Sequence, residues 1–321
     1  MKTCLIVGNG LTKDLCKYTG MELDPNQPFM WQVRCSECEH ANLLDDLQNA
    51  KTFIEDTRQR NPNINDFDII GEFIKLMPEN RDNWPDNWPE NLKWIHCELR
   101  QYMALAYSNF QLRLDELDKA NWPWIAWFRF HSYKIMYIVS FNYDLVLERS
   151  LETAGTSYYR VGVTNEGRRG IPIIKPHGSI DFEARPGSIF IPRNNRLNNI
   201  TFRNYCPIVS LRLEEWLYPR IEADIVLPSE PSPQTRLTWV KKGRELFQQA
   251  APTIERCIII GLSYWRCDRP EIDWFIDQLQ RNCIIEVVNP KPPPQLIGHL
   301  CKKEFTAGAV YKDLDQFLAL I

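Results

Sequence analysis

KIMYIVSFNYD (residues 134–144) is the stretch on which the reading of this chain turns. The apolar run KIMYIV has the composition of a buried strand, and it closes into the polar SFNYD. A second segment, IPII followed by KPHGSIDF (175–182), repeats the pattern. Each leaves chemically able side chains, Asn142 and Asp144 in one and His177 in the other, just past a predicted strand end. Open α/β sheets bind their ligands at that edge.

Working outward, TCLIV (3–7) breaks into GNGLTKDL, which reads as strand, tight glycine turn and helix start, with Thr12 as the expected N-cap. From about 21 to 131 helical periodicity takes over, in ANLLDDLQNAKTFIEDTRQR, DFDIIGEFIKLM and ENLKWIHCELRQYMALAYSNFQLRLDELDKA. After 132 the α/β rhythm returns. A helix over 145–154 ends at Gly155, and IPIIKPHGSI and ADIVLPS read as strands. Helix LTWVKKGRELFQQAA, strand RCIIIGLS, helix RPEIDWFIDQLQ, strand CIIEVVN and helix KDLDQFLALI follow. The expected fold class is α/β, a Rossmann-like doubly wound parallel sheet built from residues 1–20 and 132–321, with 21–131 as a helical insertion.

At 321 residues and 44% hydrophobic content the chain can fill such a core. Its formal charge of −3 supplies no electrostatic drive toward nucleic acid, which is held mainly by Lys and Arg against phosphate. The Arg-bearing stretch 185–204 reads as a solvated loop or a phosphate-facing rim. The apolar run in MKTCLIVGNG is too short for a signal-peptide core and no segment approaches the roughly 18 apolar residues of a membrane span, so a cytoplasmic protein is expected. The 10 cysteines are dispersed, as befits reduced thiols packed as small hydrophobes. CSECEH places Cys35, Cys38 and His40 at metal-like spacing, but no second pair completes a zinc set, and no metal is expected. The tryptophans of NWPDNWPENLKW and NWPWIAWF read as packing within the helical insertion.

Gly8 and Gly10 suit a close backbone approach to a diphosphate, with free N–H groups at a helix N-terminus; an ordinary tight turn explains them equally well. The dehydrogenase fingerprint fails, because Lys13 occupies its third glycine position, and no P-loop GKS or GKT is present. Asp144 could cap the following helix as readily as it could serve a site. His177, between Pro176 and Gly178, has the best setting for a general base among five histidines, against the plainer reading of a structural histidine. Gly261 and Ser263 follow CIIII, and Asn289 follows VV; small and amide residues at strand ends suit ribose hydroxyls and adenine.

Taken in order, GNGLT (8–12), SFNYD (140–144), PHGS (176–179), GLS (261–263) and VN (288–289) resemble the SIR2-like (sirtuin-fold) family, leaving 21–131 uncovered. The resemblance implies that Gly8, Asn9, Gly10 and Thr12 hold the NAD diphosphate and that Asn142 and Asp144 line the nicotinamide-ribose pocket. By the same resemblance His177 is the base, Gly178 and Ser179 bind the NAD beside it, and Gly261, Ser263 and Asn289 hold the adenosine half. The four-cysteine zinc module of protein deacylases is missing, since the interval between PHGS and GLS holds only Cys206 and Cys257, and so is a PDFR-like segment. The chain is therefore more similar to the zinc-less bacterial anti-phage effectors, which hydrolyse NAD to nicotinamide and ADP-ribose. That implies NAD as substrate, and self-assembly or a separately encoded sensor docking on the helical insertion as control. An NAD-dependent deacylase or ADP-ribosyltransferase, and a non-catalytic NAD- or ADP-ribose-binding subunit, remain as alternatives.

Overall fold

The computed structural model describes residues 1–77, 89–184, 208–220, 223–228, 230, 238–266 and 268–319. In chain order the elements are β1 (Thr3–Val7), α1 (Gly10–Thr19), α2 (Gln48–Arg60), α3 (Asp66–Leu76), α4 (Glu90–Asp115), α5 (Pro123–His131), β2 (Ile135–Ser140), α6 (Val146–Thr153), β3 (Tyr158–Arg160) and β4 (Ile171–Ile174). Then come β5 (Gly178–Ala184), β6 (Ile208–Ser210), β7 (Ala223–Ile225), α7 (Thr238–Ala250), β8 (Arg256–Ile260), α8 (Arg269–Asp277), β9 (Ile284–Val288), α9 (Pro294–Lys302), β10 (Ala307–Tyr311) and α10 (Leu314–Leu318).

Seven strands form one sheet in the order β10-β9-β8-β1-β2-β4-β3, and every neighbouring pair in it is parallel. The period of two along β1 sorts its side chains cleanly. Leu5 and Val7 enter one apolar cluster with α1 and the helices of 48–131, while Cys4 and Ile6 enter another with α7, α8 and α9. Helices thus cover both faces, which makes the sheet a doubly wound α/β sheet. Because β1 lies between β2 and β8, the winding reverses at β1, and Val7 sits in register with both Ser140 and Ile260. The loops after β1, β2 and β8 therefore leave the sheet side by side.

Backbone contact between two of those loops dictates their composition. Gly8 N–H donates to Ile260 O and Gly10 N–H to Gly261 O, both at 2.9 Å. A Cβ on Gly10 would stand 2.4 Å from the Cα of Gly261, and Gly261 holds φ at 59°. No side chain fits there.

The helices of 48–131 share their core with the sheet rather than closing on a separate one: Ile54, Phe73 and Leu99 lie in the same cluster as Leu5 and Ile260. Trp122, Trp124 and Trp127 are buried, as packing residues should be, whereas Trp84 and Trp88 fall outside the described residues. Among the described residues no helix is long and apolar enough to cross a membrane. The Arg-bearing stretch at 185–204 and Cys206 lie outside the description.

Several expectations require correction. IPIIKPHGSI is not one strand: β4 stays in the parallel sheet, while β5 joins β6 and β7 in a separate antiparallel sheet, order β6-β5-β7. Pro176 offers no N–H, and Gly178, at φ 79°, turns the chain and donates to Lys175 O at 3.0 Å. ADIVLPS supplies β7 to that same small sheet. Strands β3, β6 and β10 and helix α9 carry too little signal to foresee: β10 reads AGAVY, poor in strand formers, and α9 follows a proline run. Cys35 and Cys38 are not thiols but a disulfide, their Cα atoms brought to 5.3 Å by the short loop, and His40 pairs with Asp46 at 2.8 Å.

Substituting Gly261 by Ala is expected to lower the unfolding free energy by about 2–4 kcal/mol through backbone strain and overpacking. Gly167→Ala, where an added Cβ meets nothing within 4 Å, should stay within about 0.5 kcal/mol. Denaturant titration of the two variants checks the contrast, and equal effects would remove the loop contact from the account.

Candidate active site

Asn142 and Asp144, just past the end of β2, are joined through α1. The hydroxyl of Thr12 donates to Oδ2 of Asp144 at 2.8 Å and accepts from Nδ2 of Asn142 at 3.2 Å. Nδ2 also donates to Gly8 O at 3.2 Å. With both amide protons directed at acceptors, the side chain has one orientation, and Oδ1 takes no hydrogen bond from the described residues. Thr12 is therefore not the helix cap, a place taken by Asn9; it lies inside α1 and links two strand-end residues. Asp144 also accepts from Val146 N–H at 3.1 Å, so it does cap locally, one residue before the N-cap Leu145. Burial pushes the Asp144 carboxyl above its usual range, and the Lys175 charge with the Thr12 and Val146 donors only partly offsets this.

His177 occupies the turn between β4 and β5, its ring edge-on to Phe141 at 5.2 Å between centroids. Its Nε2 is ion-paired with Oε2 of Glu271 at 3.2 Å and lies 4.0 Å from Oδ1 of Asp268. Burial alone would lower the imidazole's pKa. The Glu271 carboxylate beside it and the charges of Asp268 and Glu230 outweigh burial and hold it above the ordinary histidine value.

These groups border one cleft of about 750 Å³, the open solvent at its mouth included. The loop after β8 forms one wall, where Tyr264 adopts a left-handed φ of 53° and is held through its hydroxyl on Asp273 at 2.5 Å. The helical segment forms the other, through Asn26, Phe67 and Tyr107. Phe67 and Trp265 meet edge to face across 6.2 Å, so the two walls touch.

Of the residues singled out from the sequence, Asn142, Asp144, His177, Gly8, Asn9 and Ser263 line this cleft, and Gly10, Thr12, Gly178, Ser179, Gly261 and Asn289 do not. The amides of Gly8 and Gly10 are not free for a diphosphate, being bonded to β8 and its loop. Asn289 has both polar ends engaged, Nδ2 on Leu262 O and Oδ1 on Lys291 N–H, each at 3.0 Å; it braces the loop after β8. Ser179 is fully buried, its hydroxyl on Tyr143 O at 3.3 Å. Glu271, Asp268, Phe67 and Tyr107 were missed. An acidic residue in the first turn of a helix after a strand-end loop was the available signal for Glu271; nothing marked the two aromatics, whose place depends on how the helical segment docks.

No protein-family model matches the chain, and no curated protein does. Solved structures similar to it include a Sir2 homologue in complex with NAD, at 12% identity and a TM-score of 0.45, covering 99% of this chain and 86% of that one. Another is Sir2 bound to an acetylated peptide, at 14% identity and a TM-score of 0.35, covering 99% and 90%. The α/β assignment stands on the strand order and register described above.

A histidine whose folded pKa is raised stabilises the fold fully below its unfolded pKa of about 6.5, and that stabilisation is lost as pH rises through the folded value. The difference in unfolding free energy between the native chain and His177→Gln should therefore shrink as the pH rises from about 6.5 through the folded value. Urea titrations across that window would show it, and a flat difference would remove the ion pair from the account.

Proposed function

We propose that the chain binds NAD in this cleft and hydrolyses its nicotinamide glycosidic bond, releasing nicotinamide and ADP-ribose. The observation that carries this reading is that an oriented amide, Asn142, and an imidazole, His177, border one cleft where the sheet's winding reverses. The order of the five sequence motifs, which resembles that of SIR2-like proteins, supplies the substrate class.

The residues present suit the chemistry asked of them. Cleavage expels a neutral base and leaves an oxocarbenium-like ribose, so the site needs acceptors and an apolar surround rather than an acid. Oδ1 of Asn142, held outward by Thr12 and Gly8, accepts from a ribose hydroxyl or from the attacking water. The neutral imidazole of His177 takes the proton that the water loses as its oxygen bonds to C1′, a contribution of roughly 10²–10⁴ in rate. Phe141, Tyr143 and Tyr107 exclude other water. No Lys or Arg lines the cleft among the described residues. The family resemblance extends the proposal to an NAD-depleting role in anti-phage defence, controlled by self-assembly or by a separate sensor on the helical segment.

Purified protein incubated with NAD should release nicotinamide and ADP-ribose without any acylated peptide. His177→Ala and Asn142→Ala should retain cooperative unfolding and lose at least about 10²-fold of that release. Full turnover by both variants would refute the assignment. Release that appears only with an acetylated peptide would move the chain to the deacylases, and nucleotide binding without turnover to the non-catalytic subunits.

A further inference from the structure

Two carboxylates approach the imidazole of His177 at Nε2. Glu271, in the first turn of α8, is ion-paired with Nε2 at 3.2 Å, off the line of a hydrogen bond, and Asp268, just before α8, lies 4.0 Å from the same atom. Glu271 is 4% exposed, and its other oxygen accepts from NH2 of Arg244, on α7, at 3.4 Å. Arg244 is itself packed over the Trp274 ring at 4.5 Å. The carboxylate is thus held between a guanidinium and an imidazole. Phe141 and Tyr143 also flank the ring, at centroid distances of 5.2 and 6.3 Å. Glu230, in the segment after β7, adds its negative charge.

An ionised carboxylate only accepts, so it favours a proton on the nitrogen facing it and disfavours a lone pair there. A neutral imidazole carries one N–H, and the partner of one ring nitrogen decides the state of the other. Nδ1 of His177 has no hydrogen-bond partner among the described residues.

We propose that Glu271 is a positioning residue that keeps the N–H of His177 on Nε2, so that Nδ1 is the atom that receives the proton in the cleft. This rests on the reading of His177 as the base. Arg244 keeps the carboxylate in place, and Asp268 adds charge on the same side. In the hydrolytic step the water oxygen bonds to C1′, the glycosidic bond electrons leave with nicotinamide, and the water proton goes to Nδ1. The imidazolium then carries a proton on each nitrogen, the one on Nε2 facing Glu271, until Nδ1 returns its proton to solvent.

The test is nitrogen-15 NMR of the imidazole in the full chain, with the His177 signal assigned by its loss in His177→Gln, alongside nicotinamide release from NAD. On the alkaline side of its midpoint, native His177 should be the Nε2–H tautomer. Glu271→Gln, whose amide oxygen can still accept, should keep that tautomer while its midpoint and the pH profile of kcat both move to lower pH. Glu271→Leu should lose the tautomer preference and up to about 10⁴ in kcat, the loss known for a wrongly protonated catalytic imidazole. An Nδ1–H tautomer in the native chain, or an unmoved midpoint in Glu271→Gln, would overturn the role of Glu271 even if the chain hydrolyses NAD. An Nε2–H tautomer in a chain that releases no nicotinamide would instead retire the hydrolase reading, and with it the proton acceptor in the cleft.

Discussion

Two loops touching backbone to backbone set the geometry of everything at the functional edge. Gly10 and Gly261 approach so closely that neither can carry a Cβ, and the hydrogen bonds from Gly8 and Gly10 to β8 and its loop lock β1 to β8 where the winding reverses. That contact fixes where α1 starts, hence where Thr12 stands, hence which way the Asn142 amide faces. The glycines therefore have a packing reason for being there before any ligand is considered.

A second constraint comes from charges kept out of water. Lys175, fully buried, donates to Asp144 O at 2.8 Å and pairs with Glu148 at 2.9 Å, tying the end of β4 to the loop after β2. Arg160 on β3 pairs with Asp181 on β5 at 2.7 Å and with Glu166, while Ser210 on β6 donates to Asp181 at 2.7 Å. Burial works to raise the Asp181 carboxyl, yet the Arg160 charge holds it below its usual range. Such pairs add little net stability over apolar packing of the same volume, but losing one partner strands the other at a cost of about 3–5 kcal/mol. Here they hold the small antiparallel sheet against the large parallel one, and His177 sits in the turn between the two. Its position is set by that joint.

Much of the parallel sheet was legible because β1, β2, β8 and β9 are short apolar runs that end abruptly in Gly, Asn or Ser, the pattern of strands buried on both faces. The turn at Pro176 to Gly178 was misread because IPII and GSI both look like strand, and nothing local says that the hydrogen bonds of the second half go to different partners. Asn142, Asp144 and His177 were found by their place after strands. Glu271 was not, since an acid near a helix start has an ordinary electrostatic explanation. Cys35 and Cys38 read as thiols because the cysteines are dispersed along the chain; the short loop between them brings the pair into a disulfide.

What the sequence determined by itself was periodicity: which of the longer apolar segments are strand or helix, and which polar residues emerge at strand ends. Tertiary structure alone decided which of those polar residues share a cleft, that the helical segment supplies Phe67 and Tyr107 to its wall, and that a carboxylate from α8 stands behind His177. The physical reason is range. Hydrophobic alternation and backbone preference act within a few residues, whereas the partners of His177 and Asn142 lie 94 and 130 positions away along the chain, and only chain closure brings them within hydrogen-bond distance.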